Sequence, residues 1–343
     1  MLATNKRRPP LFMVGLGATR CKSRVALFNF QGRQGGLVSS RADETKPSRY
    51  SCRKRLNAAD VNRRLRSRRI PERAALLLTI WSNCLAGWWL GGGDPSRELP
   101  FLFAGAALLY VGGIAWSNAF AVALGHEELA PGAGTPKAES LTSARYWGMG
   151  LLTLGVVAWF CCGNATGGLG VALAAVVILA RVRQWPASVF PVIPGVCRLL
   201  LYLAGAASGI IGVTGSPVWC GLALAVYVLG IAYLARQRSE TGPERHWPIL
   251  LLAAPIALAL IVDDDGARQA GLLLSAIVAL WAARCLRRAL WSPEKDFAGA
   301  LTGLLAGVAL VDLLAVADAP KVISAVFIGL FLAARGLQSI PRS

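Results

Sequence analysis

The chain has 343 residues, of which 55% are hydrophobic and 16% charged; an ordinary soluble domain is about a quarter charged, so a typical water-soluble globule is excluded. The net charge of +18 sits in one place: residues 1–73 hold 19 basic and four acidic side chains, residues 74–343 hold 17 and 14. A nearly balanced apolar body argues against nucleic-acid binding, the first reading that so basic a chain invites.

Residues 1–73 form a basic leader whose composition buries little, and we read it as disordered and without a fold. Being Arg-rich, with Ser and few acids, it suits a transit peptide or sequence upstream of the real start. Its last part, RLRSRRIPERAALLLTIW, runs a basic cluster into an apolar stretch and also suits a cytoplasmic anchor on anionic lipid.

From Ala74 onward the chain supplies ten apolar stretches: 74–93, 100–124, 146–163, 165–182, 189–215, 216–235, 246–264, 269–288, 298–317 and 320–337. Each is near the roughly 20 residues that a hydrocarbon core about 30 Å thick requires of a helix. The expected fold is therefore an all-α, polytopic transmembrane bundle of nine or ten spans over residues 74–337, with 338–343 a cytoplasmic tail. Positive charge gives the orientation, because Lys and Arg concentrate in short cytoplasmic loops. With the leader in the cytoplasm, the even-numbered loops carry eleven Lys and Arg, from Lys137 and Arg145 to Arg288 and Lys295. The odd-numbered loops carry three, Arg97, Arg268 and Lys321.

Eight Cys without CxxC spacing, and only two His, argue against a zinc site or a disulfide framework. Adjacent Cys161 and Cys162 read as small apolar residues at a helix end.

The polar groups inside apolar spans are the candidates for function. Asn83 lies in the first span, where interhelical hydrogen bonding would account for it. At the end of the second, Asn118, Ala121, Gly125 and Glu128 fall on one helical stripe, which either faces a bundle cavity or enters water. Arg198 lies within 189–215, where a cation costs at least about 2.5 kcal/mol unless paired or facing water. It should face the interior, either as a ligand for a pyrophosphate or an anionic headgroup or as the partner of an acid such as Asp312. Asp263, Asp264 and Asp265 read as a solvated turn, on the opposite side of the membrane from Asn118 and about a bilayer thickness away.

Four segments carry a resemblance. TIWSNCLAGWWLGG at the start of the body, TSARYWGMGLLTLG after the second span, PGVCRLLLYLAGAASG, and YVLGIAYLARQRSETGPERHWPILLLAAP resemble, in this order, the UbiA family of intramembrane prenyltransferases in a divergent bacterial branch. The resemblance covers roughly residues 69–337. It implies about nine helices in a bacterial inner membrane, a central cavity open to the cytoplasm and to lipid, and Mg²⁺-assisted transfer of an isoprenyl group from its pyrophosphate to a lipophilic acceptor.

A leaving pyrophosphate needs bound Mg²⁺, a hard cation held by carboxylate and phosphate oxygens. The family's first aspartate-rich motif, N-D-x-x-D-x-x-x-D, falls here on Ser117, Asn118, Ala121 and Gly125, none of them a carboxylate. The candidate substrate-binding set is Asn83, Ser117 and Asn118, which the resemblance places near the substrate pocket, with Arg198, inside its apolar span, and Arg236 at the end of the sixth. A displaced Mg²⁺ site would draw on Glu128 with His126 and Glu127, residues that also suit a solvated loop. Arg236, with Arg238, suits pyrophosphate oxygens through bidentate hydrogen bonds and follows equally from the positive-inside bias. No residue is assigned as catalytic. Two functions stand: an active, Mg²⁺-dependent prenyltransferase acting on an isoprenyl pyrophosphate, or a catalytically inactive protein of that fold that binds isoprenoid or another lipid. A transporter would show internal repeats, and none is evident.

Overall fold

The computed structural model describes residues 73–93, 98–123, 138–182, 189–237, 247–262, 268–290 and 296–339. Among these the secondary structure is all helical. In chain order the helices are α1 (73–90), α2 (Leu99–Ala123), α3 (Ala138–Phe160), α4 (Asn164–Val182), α5 (Val192–Ala207) and α6 (Gly215–Gln237), followed by α7 (Pro248–Leu251), α8 (Ala254–Val262), α9 (Arg268–Leu290), α10 (Phe297–Ala306), α11 (Val308–Ala315) and α12 (Lys321–Ser339).

Each of the ten apolar stretches read from the sequence corresponds to one helix or to two consecutive ones. Among the described residues, five segments are long and apolar enough to cross a membrane: Leu99–Asn118, Gly215–Arg236, Arg268–Ala289, Phe297–Ala315 and Lys321–Gln338. The molecule is an integral membrane helix bundle.

Hydropathy alone misplaced several boundaries. Helix α3 begins at Ala138, before the expected 146, because AESLTSAR continues the helix with polar side chains. Helix α5 ends at Ala207, before the expected 215, and the chain turns through Gly212 at φ 78°, a conformation open to glycine. Helix α12 runs to Ser339, into the stretch read as a tail. The span 246–264 is two helices, with Pro255 in the first turn of the second, where its missing N–H costs nothing.

The apolar side chains form two main clusters. One joins Ile80, Cys84 and Trp88 of α1 to Leu102 and Leu109 of α2, Leu152 and Trp159 of α3, Leu173 of α4 and Leu201 of α5. The other joins Leu224, Val228 and Ile231 of α6 to Val278 and Leu286 of α9, Leu304 and Val311 of α10 and α11, and Phe327 of α12. Indole and phenol groups tie helices within them: Trp159 Nε1 donates to the Leu102 carbonyl at 3.0 Å, and Tyr227 Oη to the Leu304 carbonyl at 3.0 Å.

Helices α1 and α5 cross at backbone contact. Both carry glycines four residues apart, Gly87 and Gly91 on one side and Gly205 and Gly209 on the other, the spacing that lets membrane helices approach closely. A Cβ on Gly87 would meet the Tyr202 carbonyl, one on Gly205 the Cys84 carbonyl, and one on Gly209 the Gly91 carbonyl. Past the crossing, the Ile211 and Gly212 amides donate to the Gly91 carbonyl at 2.8 and 3.2 Å. The glycine face of α1 continues back in steps of four through Asn83 to Thr79, and that of α5 in steps of three and four through Tyr202 to Arg198. The close crossing therefore sets these polar residues against one another.

Candidate functional site: a buried polar network beside an apolar cavity

Three polar residues of α1, one of α5 and one of α11 meet inside the bundle. Arg198 is 8% exposed, Asn83 0% and Asp312 1%, so two opposite charges are held out of water. Arg198 Nη2 donates to Thr79 Oγ1 at 2.8 Å, and that hydroxyl in turn donates to the Leu76 carbonyl at 2.8 Å. Ser82 Oγ donates to Asp312 Oδ2 at 2.5 Å.

Asn83 bridges the two charges. Its neighbours fix the amide orientation, since a guanidinium can only donate. Asn83 Oδ1 accepts from Arg198 Nη1 at 2.9 Å, while Nδ2 donates to Asp312 Oδ2 at 2.8 Å and to the Thr79 carbonyl at 2.9 Å. Asp312 Oδ2 thus takes two donors, while Oδ1 is buried with no hydrogen-bond partner among the described residues. Neither charge could be left there alone, because an unpaired ion in such a place costs several kcal/mol, of the order of 3–5 kcal/mol when one partner is removed.

Arg198 also faces a cavity of about 330 Å³ that lies between the two apolar clusters. Its wall is mostly hydrocarbon: Ile80, Leu109, Leu173 and Leu201 from one cluster, Val228, Ile231 and Leu301 from the other. The polar groups in the wall are Arg73, Thr79, Tyr110, Ser117, Arg198, Thr302 and Gln338. Near the ends of α1 and α12 they hold one another: Tyr110 Oη donates to the Arg73 carbonyl at 3.2 Å, and Gln338 Nε2 to the Thr302 carbonyl at 3.0 Å.

The lining residues are drawn unevenly along the helices. Helix α1 contributes its first half, α2 residues 106–117, α3 Leu152, α4 residues 173–177, α5 chiefly its first half, α6 its second half, α10 its middle and end, and α12 Gln338 in its last turn. In an up-and-down bundle this places the cavity toward the end where α1 starts. Arg236, Arg287 and Arg288 lie in the last turns of α6 and α9, at that same end.

Of the residues singled out from the sequence, Ser117 and Arg198 line the cavity. Asn83 does not; its amide is spent on the network behind Arg198. Asn118 is half-buried on α2 and is not in the wall, because one residue along a helix turns the side chain by about 100°. Arg236 is half-buried at the end of α6 and is likewise outside the wall. Asp312 does not touch Arg198 directly, as the pairing reading supposed. Gly125, His126, Glu127, Glu128 and Asp263–Asp265, like residues 1–72 of the basic leader, lie outside the described residues, and so does the side chain of Ala121; Arg73, read as the end of the leader, instead opens α1.

Sequence reasoning missed Thr79 and Ser82. The signal was present, for Thr79, Ser82 and Asn83 put three polar groups in five residues of an apolar span, and such groups rarely face lipid.

The described residues do not fit a Mg²⁺ site. The described wall of the cavity carries no carboxylate, and no three His, Cys, Asp or Glu side chains among the described residues converge as cation ligands would.

No protein-family model matches the chain, and no curated protein matches it. A solved structure from work on digeranylgeranylglyceryl phosphate synthase in membranes is similar to it, with 13% identity over 79% of this chain and 99% of that one, at a TM-score of 0.48. At that level the similarity assigns no residue a role.

Proposed function

We propose that this protein binds an isoprenoid or other single-tailed lipid within the membrane, through UbiA-like ligand recognition without UbiA-like chemistry. The observation that carries this reading is the wall of the cavity: hydrocarbon over most of its area, two guanidiniums, and no carboxylate among its described residues. Ligand sites are of this kind, mostly apolar with few placed polar groups, and about 300–1,000 Å³ in volume. A prenyl tail would lie against Leu109, Leu173, Val228 and Ile231, with its head toward Arg198 and Arg73.

The alternative is metal-assisted prenyl transfer, in which carboxylates would hold Mg²⁺ on the leaving pyrophosphate. The replacement of the motif aspartates by Asn118, Ala121 and Gly125 argues against it. The basic face of the bundle is the cytoplasmic one in this reading, with the leader on the same side.

The test is to reconstitute the full chain in lipid nanodiscs and supply a labelled isoprenyl pyrophosphate, Mg²⁺ and lipophilic acceptors. Saturable binding of prenyl ligands without pyrophosphate release is expected. Release of pyrophosphate that EDTA abolishes would establish transfer in place of passive binding. Absence of any saturable binding would remove the lipid reading altogether.

A further inference from the structure

We propose that the cavity selects a lipid whose head carries a single negative charge, such as a carboxylate or a phosphodiester, over one carrying a pyrophosphate. This rests on the reading of the cavity as a lipid site and deepens it. The described wall contains two cations, Arg73 and Arg198, and one of them is already balanced. Through Asn83, Arg198 is set against the carboxylate of Asp312, with Nη1 committed to Asn83 and Nη2 to Thr79. Its remaining N–H groups can still donate to a ligand, because a guanidinium has five. Its charge, however, is matched inside the protein.

The net charge that the described wall offers a ligand is therefore close to +1, held by Arg73. A singly charged head entering beside Arg198 and Arg73 leaves the site near neutrality. A pyrophosphate would bring two to three negative charges into an apolar enclosure, and uncompensated charge there is expensive. The described wall has no carboxylate to hold Mg²⁺ against that excess. The glycine crossing brings α1 and α5 to backbone contact, and on the same pair of helices Asn83 accepts from Arg198 at 2.9 Å.

The experiment compares three ligands with one tail, so that only the head decides: farnesoate, farnesyl pyrophosphate and farnesol. Each is titrated into the full chain in nanodiscs of neutral lipid, with EDTA present. Farnesoate is expected to bind at least about ten times more tightly than either of the others, a difference near 1.4 kcal/mol. Inorganic phosphate at millimolar concentration should not displace it, since the tail supplies most of the contact. Pyrophosphate binding as tight as farnesoate would overturn the inference while leaving a lipid site in place. Equal binding of farnesol would overturn it too, and displacement by phosphate would replace the amphiphile by a free anion. Binding by none of the three would remove the underlying lipid reading instead.

A variant tests the balance itself. Asp312→Asn keeps the shape and frees the charge of Arg198, so the preference for farnesoate over farnesyl pyrophosphate should shrink by about tenfold. An unchanged preference in the folded variant would refute the role given to Asp312. If the variant does not fold, the order of the three ligands on the unaltered protein decides.

Discussion

Arg198 of α5 and Asp312 of α11 are held together through the amide of Asn83, whose oxygen accepts from Arg198 at 2.9 Å and whose nitrogen donates to Asp312 at 2.8 Å. A neutral side chain thus mediates between two buried charges, and it comes from a third helix. Removing it strands both ions. Direct loss of a buried ionic partner costs about 3–5 kcal/mol in soluble proteins, whereas interhelical hydrogen bonds in membranes average about 0.6 kcal/mol. Because the charges remain near each other, we expect Asn83→Leu to lose about 2 kcal/mol, between these limits.

The bridge predicts a specific pattern of rescue. Asn83→Asp adds a carboxylate beside Asp312, and Asp312→Asn removes the only carboxylate in the described network; each alone should lower the melting temperature in detergent. Together they keep the net charge and set a carboxylate directly on Arg198 Nη1, so the double variant should recover most of the loss. The charge reversal Arg198→Asp with Asp312→Arg should not recover, because there is no direct contact to invert and the Thr79 acceptor is left without its donor. Recovery by the reversal and not by the exchange would show that Asn83 is incidental.

The α1/α5 crossing makes a second prediction. A Cβ on Gly87 would collide with the backbone of Tyr202, which cannot swing aside as a side chain can. Gly87→Ala should destabilise by about 1–3 kcal/mol, as overpacking does. Gly150 and Gly329 lie in helices with nothing within 4 Å of the added carbon. Alanine there should be neutral or stabilise by about 0.5–1 kcal/mol. Equal effects at all three positions in thermal or denaturant unfolding would refute the close crossing.

How much of this was legible in the sequence follows from the kind of information each feature uses. The spans were legible because hydropathy is local, and Arg198 and Asp312 stood out because a charge among apolar neighbours is locally anomalous. The interposition of Asn83 was not legible. It depends on the registers of three helices, 115 residues apart between Asn83 and Arg198 and 114 between Arg198 and Asp312, and the α1/α5 pair is fixed by backbone contact at Gly87 and Gly205. That Ser117 lines the cavity while Asn118 does not was equally beyond a stripe argument, since it requires the rotation of α2 against α3 and α4. The resemblance to the UbiA family foresaw a helical bundle with an internal cavity, and the bundle has both.

Filling the cavity separates ligand binding from stability. Ala174 on α4 and Ala232 on α6 both line it. A phenyl ring at either place would occupy the space meant for a tail. Ala174→Phe and Ala232→Phe should each weaken binding of a prenyl ligand by at least about tenfold, or 1.4 kcal/mol. The melting temperature of the ligand-free protein should fall little, because the added ring enters open volume in place of a packed core. Unaltered affinity in both variants would move the ligand elsewhere.

Orientation in the membrane can be read at the turn between α3 and α4. Cys161 is exposed there, whereas Cys84, Cys162 and Cys285 are buried and Cys197 and Cys220 are partly covered. In the proposed orientation the leader is cytoplasmic, and three spans later the chain would emerge on the far side. A variant keeping Cys161 as its only cysteine should therefore react with a membrane-impermeant maleimide added outside intact cells, and replacing Cys161 by Ser should abolish the labelling. The same turn lies at the end of the bundle away from Arg73 and Gln338, so outside labelling also fixes the cavity on the cytoplasmic half. Labelling that requires opening the cells would invert the orientation and place Arg198 and its cavity toward the exterior, where a cytoplasmic isoprenoid could reach them only after crossing the bilayer.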